Sequence, residues 1–351
     1  MAVARVGALK IPQLGLGTWK AAPGEVGAAV TAAIGAGYRL IDCAAAYGNE
    51  AEVGAALRGA IDGGVVTRDE LFVVGKCFQT HHVWRGDSGR PREALLQTLE
   101  DLQLESLDLY LMHWPFAFEQ KDALDAAKWG PFRDAVGTPN PALTIELEYV
   151  DTWRCLQALA ADGLTDAVGV SNCTAAQLAE MAAGGLPGGA PLAVNQVEFH
   201  PYLQQPELRS YCAAQGITMM GYSPLGSGDS YSGASYPADM GCTLLANPAV
   251  LEVARRHGKS AAQVLVRFSL QSGLVCIPKS SRPARIEENF DVLDFELTPR
   301  DLELLTILDR GFRYGIGYAP GHYDCANAPW TQQAAAEEAA GSGSGSHAQT
   351  E

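Results

Sequence analysis

The sequence is poor in basic residues. Of its 351 residues, 25 are Lys or Arg and 40 are Asp or Glu, which gives a formal net charge of −15. Nucleic acids and anionic membranes both select a basic surface, so this balance argues against either as a partner. A local basic pocket could still bind a small anionic substrate, because recognition of such a group needs only a few charged donors.

Long apolar runs and paired cysteines are also missing. No stretch approaches the roughly 20 apolar residues needed to cross a bilayer. The first fourteen residues lack the apolar core and the small-residue cleavage site of a secretory signal. The eight cysteines are scattered, with no CxxC pair. This pattern favours free thiols in a reducing compartment. We therefore expect a cytoplasmic protein that contains no metal site.

Short apolar runs alternate with segments of helical periodicity along the whole chain. The runs have the composition of strands buried on both faces, and they are Tyr38–Asp42, Leu71–Lys76, Leu107–His113, Asp166–Ser171, Leu192–Glu198, Ile217–Ser223, Leu274–Lys279 and a weaker Asn289–Phe295. Helical periodicity is clearest at Pro91–Leu102, Leu147–Ala161, Pro206–Ala214 and Ala262–Leu270. Eight β–α repeats predict right-handed crossovers and a parallel sheet that closes into an α/β fold, the (β/α)8 TIM barrel.

The barrel is predicted to form a single domain over residues 1–330. A hairpin over Val3–Ile11 is expected to cap one end of it. The connections Trp114–Glu146 and Leu225–Ala246 exceed ordinary βα loops, and rim loops of that length usually serve function or are disordered. Residues 331–351 contain a Gly-Ser repeat and are predicted to be a flexible low-complexity tail.

Polar residues stand at or beside the carboxyl ends of seven different predicted strands. They are Asp42, Lys76, His113, Ser171 with Asn172, Gln196, Tyr222 with Ser223, and Lys279. In an α/β barrel these ends meet on one rim, where active sites are built. Any one of these residues alone would more often be a strand terminator or a satisfied cap. Seven strand ends that agree indicate a site.

Four residues near this rim form a plausible acid–base group. Tyr47 lies five residues beyond Asp42, so both can face the same rim. A free phenol has a pKa of about 10, and a nearby ammonium such as Lys76 would lower that pKa while Asp42 keeps the lysine charged. His113 could donate a hydrogen bond to a substrate oxygen. The alternatives are an aromatic plug for Tyr47 and a core histidine for His113, each credible alone but weak for all four together.

Longer segments carry a resemblance to a known family. They are Gly15-Leu-Gly-Thr-Trp19, Tyr38-Arg-Leu-Ile-Asp-Cys-Ala-Ala-Ala-Tyr-Gly-Asn-Glu50, Leu109-Tyr-Leu-Met-His-Trp-Pro115, Gly169-Val-Ser-Asn172 and Ile277-Pro-Lys-Ser280. From Val6 to Trp330 the chain resembles the aldo-keto reductases. The resemblance implies that Asp42, Tyr47, Lys76 and His113 form a catalytic tetrad, with Tyr47 as the general acid.

The same resemblance implies the cofactor NADPH. No GxGxxG motif follows a strand and opens a helix, so a Rossmann site is not supported. The implied cofactor-binding residues are Thr18, Trp19, Lys20, Ser171, Asn172, Gln196, Tyr222, Ser223, Leu225, Ser227, Asp229, Lys279, Ser280, Arg285, Glu288 and Asn289.

Each part of this set has an implied role. The residues expected to hold the nicotinamide carboxamide are Ser171, Asn172 and Gln196, and Tyr222 would stack under the ring. The residues expected to line the pyrophosphate path are Ser223, Leu225 and Ser227. Asp229 resembles an acid that latches a loop over the cofactor through Lys20 and Lys279.

The adenosine end can be argued from the residues themselves. Pro283 suits the first turn of a short helix, and helix N-termini favour anions. Arg285 and Asn289 lie four apart, on one helix face. A phosphate on the adenosine ribose would meet Lys279, Ser280 and Arg285 together, which favours NADPH over NADH. The alternative is a basic helix end that is merely solvated.

The substrate pocket is expected to include Trp19, Phe78, Trp114, Phe116 and Arg313. Phe78 replaces the tryptophan usual in the family, which leaves the pocket width open. Pro201–Pro206 resembles xylose reductases, and Ile286–Phe295 resembles plant aldose-6-phosphate reductases. We therefore expect an open-chain aldose or aldose phosphate as substrate, with Arg313 and Lys121 as candidate partners of a phosphate.

Other functions remain open at this point. A general aldehyde reductase of broad specificity would have the same tetrad and apolar wall. The same barrel also occurs in NADPH-binding proteins with little turnover, because fold does not fix function. A barrel hydrolase with paired carboxylates is disfavoured, since several strand ends lack acids. We expect a small-molecule carbonyl substrate and a monomer or weak dimer.

Overall fold

Eight parallel strands form a closed barrel at the centre of the protein. The computed structural model describes residues 3–6, 9–118, 145–146, 149–227 and 243–314. Hydrogen bonds join the barrel strands in the order β3-β4-β5-β6-β9-β10-β11-β12, where these labels are defined below. Parallel bridges from Leu14 to Cys276 and from Gly17 to Lys279 join the first strand to the last. The predicted (β/α)8 barrel is confirmed.

The elements alternate along the chain as the repeats predict. The described strands are β1 Val3–Val6, β2 Leu9–Pro12, β3 Gly15–Gly17, β4 Leu40–Asp42, β5 Phe72–Cys77, β6 Leu109–Met112, β7 Ala117–Phe118, β8 Ile145–Glu146, β9 Val168–Ser171, β10 Leu192–Glu198, β11 Thr218–Tyr222 and β12 Val275–Cys276. The described helices are α1 Val26–Ala36, α2 Glu50–Asp62, α3 Arg90–Leu102, α4 Tyr149–Ala161, α5 Ala175–Gly184, α6 Pro206–Gln215, α7 Pro248–His257, α8 Ala261–Gln271, α9 Pro283–Phe290 and α10 Pro299–Thr306.

The period of two along each strand decides which side chains enter the barrel interior. One buried cluster is built almost wholly from strand residues, among them Leu40, Val74, Leu111 and Val194. A second, larger cluster contains the helix residues that pack on the outside of the strands. Continuing the interior positions by two residues towards the carboxyl ends gives Asp42, Lys76, His113 and Gln196. The same alternation that builds the core therefore brings these polar side chains to one end of it.

The predicted eighth strand at Asn289–Phe295 is wrong. Helix α9, Pro283–Phe290, covers its beginning, and no strand is found at 291–295. Only Asn289 and Phe290 belong to that helix, and Val292, Leu293 and Phe295 follow it in irregular backbone, where Val292 is fully buried. The missing barrel strand is β3, Gly15–Gly17, which gives no apolar run because two of its three residues lack side chains. A Cβ at Gly15 would lie 2.1 Å from Leu40 Cδ2, so close strand packing requires the glycine.

The amino end of the barrel is covered by the predicted hairpin. Strands β1 and β2 pair antiparallel, with Val3 opposite Pro12 and Val6 opposite Leu9. Ile11 is fully buried in the cluster that fills the barrel interior. The hairpin therefore closes this end with an apolar side chain.

The long connections leave from the opposite end. Strands β7 and β8 pair antiparallel, which brings the two ends of the first long connection together. Residues 119–144 of that connection, residues 228–242 of the second, and the predicted tail at 331–351 lie outside the described residues. Within the described part, no helix is long and apolar enough to cross a membrane, and no group of three His, Cys, Asp or Glu side chains could hold a metal ion.

Candidate active site

A buried ion pair lies at the carboxyl ends of β4 and β5. Lys76 Nζ lies 2.7 Å from Asp42 Oδ2, and neither residue is more than 2% exposed. Lys76 also donates to the Cys43 carbonyl at 2.9 Å and to the Tyr47 hydroxyl at 3.0 Å. An ammonium group has three donors, and all three are used. A buried charge is tolerated only when it is paired and fully hydrogen-bonded, as it is here.

Tyr47 reaches the ion pair from the turn that follows β4. A 3-10 turn, Ala45–Tyr47, ends at Gly48, whose φ of 66° is left-handed. The next residue, Asn49, donates its side-chain amide to the Thr18 carbonyl at 3.0 Å, which ties the turn to the β3 end. The Thr18 hydroxyl in turn donates to the Asp42 carbonyl at 2.8 Å. Tyr47 is half-buried, so its hydroxyl lies between the buried lysine and the rim.

His113 lies beside this group at the end of β6. Its ring is edge-on to the rings of Tyr47 and Phe78, at centroid distances of 5.9 Å for each pair. The backbone N–H of His113 donates to the Cys77 carbonyl at 3.0 Å. Burial, followed by the positive charge of Lys76, holds the pKa of His113 well below its usual range. The imidazole is therefore neutral at physiological pH.

The tautomer of His113 follows from its surroundings. Its Nδ1 is buried and has no hydrogen-bond partner among the described residues. An unpartnered lone pair is better tolerated than an unpartnered N–H, because buried donors are seldom left without an acceptor. The proton is thus favoured on Nε2, which makes that nitrogen a hydrogen-bond donor.

The strand ends on the other side of the rim join the ion pair through hydrogen bonds. The side-chain amide of Gln196 donates to Asp42 Oδ1 at 2.7 Å. The Ser171 hydroxyl donates to the backbone carbonyl of Gln196 at 2.8 Å. Asn172 donates to the Ser171 hydroxyl and to the His113 carbonyl, at 3.0 and 3.1 Å. The Tyr222 hydroxyl donates to Asn172 Oδ1 at 2.9 Å. One connected network thus contains most of the residues predicted from the strand ends.

The loop that follows β11 has an unusual backbone. Three of its residues have a positive φ: Ser223 at 51°, Gly226 at 75° and Ser227 at 30°. The two serine hydroxyls lie 3.0 Å apart, which closes the loop on itself. Left-handed non-glycine residues cost roughly 1–3 kcal/mol each and persist only when their surroundings hold them. Leu225 is half-buried in this loop, and Asp229 lies outside the described residues.

The predicted latch residues meet across the barrel seam. Lys279 Nζ donates to the Lys20 carbonyl at 3.0 Å. Lys20 has a φ of 58° and places its Nζ 4.8 Å from the centroid of the Trp19 ring. The Trp19 ring is in turn 6.4 Å from the Tyr47 ring. Both lysines therefore border the rim within reach of the tetrad.

The basic segment after β12 begins α9 as the sequence predicts. Pro283 is the first helical residue, and the N-cap, Arg282, provides no side-chain cap. The Ser280 hydroxyl accepts from the Arg282 N–H at 3.2 Å. Arg285 is exposed, whereas Asn289 is buried. Glu288, the remaining predicted residue of this helix, is half-buried.

Four of the predicted pocket residues have aromatic contacts. The rings of Trp19 and Phe78 contact those of Tyr47 and His113, respectively, and the Trp114 and Phe116 rings lie 6.1 Å from each other. Arg313 Nη2 donates to Gln205 Oε1 at 3.4 Å. Lys121, the other candidate phosphate partner, lies outside the described residues.

Two residues near the site were not predicted. Glu50 is buried directly behind the tetrad and accepts from the Thr98 hydroxyl at 3.0 Å. Burial is the main reason that its pKa rises to about 8. Gln79 is fully buried, and neither of its amide atoms has a partner in the part of the chain that the structure describes. A glutamate in the first turn of α2 resembles an ordinary N-terminal acid, so the sequence gives no signal for its burial.

Comparison with known proteins decides the family. The aldo/keto reductase family profile matches residues 13–310. The chain belongs to the aldo/keto reductase family. It is 44% identical over 307 residues to aldo-keto reductase family 1 member A1 of Mus musculus, which covers 87% of this chain and 88% of the relative. The rat protein of the same name gives the same values.

A solved structure agrees with this assignment. The structure of the aldose reductase from Schistosoma japonicum matches this chain with a TM-score of 0.73 and 36% sequence identity, over 86% of this chain and 90% of that chain. This aldo-keto reductase is therefore an oxidoreductase, and the family relationship supports carbonyl reduction.

The ionisation of His113 can be tested directly. We expect its imidazole to stay neutral as the pH falls through 6.5, the ordinary pKa of histidine, because burial and the Lys76 charge both disfavour the cation. Selective nitrogen-15 labelling of histidine and an NMR titration would show this, with the resonance assigned by its loss in His113→Asn. In Lys76→Met the pKa of His113 should rise, since the positive charge that helps to lower it is removed. A His113 resonance that titrates near pH 6.5 in the unchanged protein would contradict this reading.

Proposed function

We propose that this aldo-keto reductase uses NADPH to reduce an aldehyde to an alcohol, with Tyr47 as the general acid. The observation that carries the proposal is the position of the Lys76 ammonium, 3.0 Å from the Tyr47 hydroxyl and 2.7 Å from Asp42 Oδ2. A phenol can give up its proton readily only where the resulting phenolate is stabilised. The buried ammonium is placed to do this.

Each member of the tetrad has a distinct task. When bound, NADPH supplies the hydride that reduces the carbonyl carbon. Tyr47 donates the proton to the carbonyl oxygen, and Lys76 stabilises the phenolate that remains. Asp42 keeps Lys76 charged and fixed, because its second oxygen is itself held by Gln196. Neutral His113 donates from Nε2 to the same substrate oxygen, which orients the carbonyl without competing as an acid.

The residues around the rim fit a dinucleotide. Polar atoms of Ser171, Asn172 and Gln196 converge near the tetrad, where they can bind a carboxamide. The Tyr222 hydroxyl is held by Asn172, which fixes the ring that we expect to stack on the nicotinamide. In the turned loop beyond Tyr222, we expect the pyrophosphate to lie along Ser223, Leu225 and Ser227. Such a set of groups suits a nicotinamide cofactor in an extended conformation.

The adenosine end supports NADPH rather than NADH. The α9 N-terminus has no side-chain cap, and the positive end of a helix dipole favours an anion. Lys279 precedes it and Arg285 lies exposed in its first turn. A 2′-phosphate would gain charge-assisted hydrogen bonds there that a ribose hydroxyl could not. This proposal includes Glu288 and Asn289 on the same helix as contacts of the adenine end.

The tetrad also favours an enzyme over a barrel that merely binds NADPH. Burying Lys76 with Asp42 costs desolvation that a binding protein would have no reason to keep. Tyr47, whose hydroxyl contacts that pair, is only half-buried, as a residue that meets a substrate must be. A low-turnover binder therefore remains the weaker alternative.

The substrate is proposed to be a small aldehyde, and an open-chain aldose is the narrower candidate. The solved relative is named an aldose reductase, and Pro201–Pro206 resembles sugar reductases. A phosphorylated sugar is a further candidate, with Arg313, which donates to Gln205 Oε1, as the proposed partner of its phosphate. A general aldehyde reductase is favoured by Trp19 and Phe78, whose rings border the tetrad and would accept many apolar aldehydes.

Replacing the proposed proton donor should separate chemistry from cofactor binding. Tyr47→Phe keeps the aromatic ring but removes the acid, so turnover should fall by at least about 100-fold. NADPH affinity should stay near that of the unchanged protein. Steady-state kinetics and a fluorescence titration with NADPH would measure both, with Tyr211→Phe as a control outside the site. Full activity in Tyr47→Phe would exclude this tyrosine as the general acid.

Cofactor choice can be tested at the start of α9. Arg285→Ala should weaken NADPH binding by about 1.5–3 kcal/mol, the value of a hydrogen bond to a charged group. NADH affinity should barely change, because NADH lacks the phosphate. Titrations of both cofactors would show this, with the exposed Arg300→Ala as a matched control. Equal losses for both cofactors would mean that Arg285 supports the helix rather than binding the phosphate.

A substrate panel separates the two candidate specificities. Catalytic efficiencies with NADPH should be compared for xylose, glucose 6-phosphate, mannose 6-phosphate and an aromatic aldehyde under one condition. We expect measurable reduction of xylose and also of the aromatic aldehyde, because an apolar wall discriminates weakly among small aldehydes. Efficient reduction of the aromatic aldehyde with negligible reduction of every sugar would make the protein a general aldehyde reductase.

A further inference from the structure

A second buried polar cluster lies on β10, two residues beyond Gln196. Glu198 is fully buried, and its Oε1 accepts from His200 Nε2 at 2.8 Å and from the Tyr314 N–H at 2.6 Å. Burial would raise the pKa of Glu198, but His200, the Arg313 charge and the Tyr314 N–H together lower it below its usual range. The carboxylate is therefore ionised and holds the chain at Tyr314.

This cluster fixes the last described segment, residues 310–314, on the barrel. The N–H groups of Arg310 and Phe312 both donate to the Tyr202 carbonyl, at 3.2 and 2.9 Å. The Tyr314 ring is edge-on to the rings of His200 and Phe312, at 5.0 and 4.9 Å. The backbone of this segment is thus held at both ends, which leaves the Tyr314 side chain in one position.

The Tyr314 ring lies against the loop after β11. A Cβ built on Gly226 would be 3.1 Å from Tyr314 Cε2 and 3.2 Å from its hydroxyl oxygen. On the same side, Leu244 Cδ1 would be 2.8 Å away. Gly226 is left-handed, and so are Ser223 and Ser227 on either side of it. A backbone of this kind needs outside contacts to persist, and the Tyr314 ring provides one.

We propose that Tyr314 is a positioning residue for cofactor retention. Anchored by Glu198, its ring packs on Gly226 and keeps residues 223–227 in the conformation that lines the pyrophosphate path of NADPH. This inference rests on the proposed function, since it requires that the loop contacts the cofactor. It adds a role for a segment that lies after the last described helix, α10, and contributes no member of the tetrad.

The test compares variants that share a backbone penalty but differ in contact with the ring. Gly226→Ala adds a methyl group at a φ of 75° against Tyr314. Gly216→Ala adds one at a φ of 71° with no atom within 4 Å. Both place alanine in the left-handed region, so they share that backbone penalty. Gly226→Ala should lose more stability than Gly216→Ala, because its methyl group also meets Leu244 Cδ1 and the Tyr314 ring. Only Gly226→Ala should disturb the contact between the ring and the loop. Tyr314→Ala removes the ring, and Tyr314→Phe keeps it.

The measurement is the dissociation rate of NADPH. Protein loaded with NADPH is mixed with excess NADP⁺ in a stopped-flow fluorimeter, and the loss of NADPH fluorescence is followed. We expect Gly226→Ala and Tyr314→Ala to release NADPH at least about tenfold faster, a change typical of losing one packing contact. Gly216→Ala and Tyr314→Phe should stay within about twofold of the unchanged protein. Thermal unfolding of all four variants gives the structural penalty for comparison.

The outcomes distinguish a failure of the positioning role of Tyr314 from a failure of the proposed function. If the unchanged protein binds NADPH but Gly226→Ala releases it no faster than Gly216→Ala, the positioning role is wrong and the proposed function stands. If Tyr314→Ala fails to fold, Tyr314→Leu removes the ring but keeps an apolar side chain, and its NADPH release rate decides the question. If the unchanged protein does not bind NADPH, the proposed function fails, and this inference fails with it.

Discussion

The ion pair between Lys76 and Asp42 is the constraint on which the site depends. A charged lysine inside a barrel is stable only where every donor is used, and here the carboxylate, the Cys43 carbonyl and the Tyr47 hydroxyl use all three. Because the Lys76 ammonium needs three acceptors, the Tyr47 hydroxyl is held in place as one of them. The contacts that satisfy the buried charge are thus also the contacts that position the proposed acid.

The ion pair also links the two halves of the site. Asp42 has two oxygens, one bound to Lys76 and the other to Gln196. Gln196 belongs to the group proposed to bind the nicotinamide carboxamide, and Asn172 of that group reaches the His113 carbonyl. The residues proposed for proton transfer and those proposed for cofactor binding therefore share hydrogen bonds. A change on either side is expected to be felt on the other.

Much of the fold could be predicted from the sequence, because buried parallel strands leave continuous apolar runs. Seven of the eight barrel strands follow from such runs. The eighth was placed wrongly because Gly15–Gly17 has almost no side chains to reveal it, whereas Asn289–Phe295 has apolar residues at a helix end and in the irregular segment that follows. A run of apolar residues indicates that side chains are buried. A strand made mostly of glycine buries backbone instead, so it leaves no such run in the sequence.

The site could be predicted where residues lie at strand ends, since the topology alone brings those ends together. Residues whose position depends on distant tertiary contacts could not be placed from the sequence. Glu198 ends β10 and accepts from the N–H of Tyr314, which is 116 residues further along the chain. No local spacing indicates that these two residues meet. The place of Arg313 in the substrate pocket stays a prediction.

The closed amino end of the barrel has a consequence for how molecules enter and leave. Ile11 seals that end with an apolar side chain, so the rim at the strand carboxyl ends is the face where ligands can be exchanged. If the cofactor lies along that rim with its nicotinamide towards the tetrad, the carbonyl compound must arrive above it. The dinucleotide then has to bind first and depart last. The order of events in a catalytic cycle would thus follow from one hairpin at the far end of the molecule.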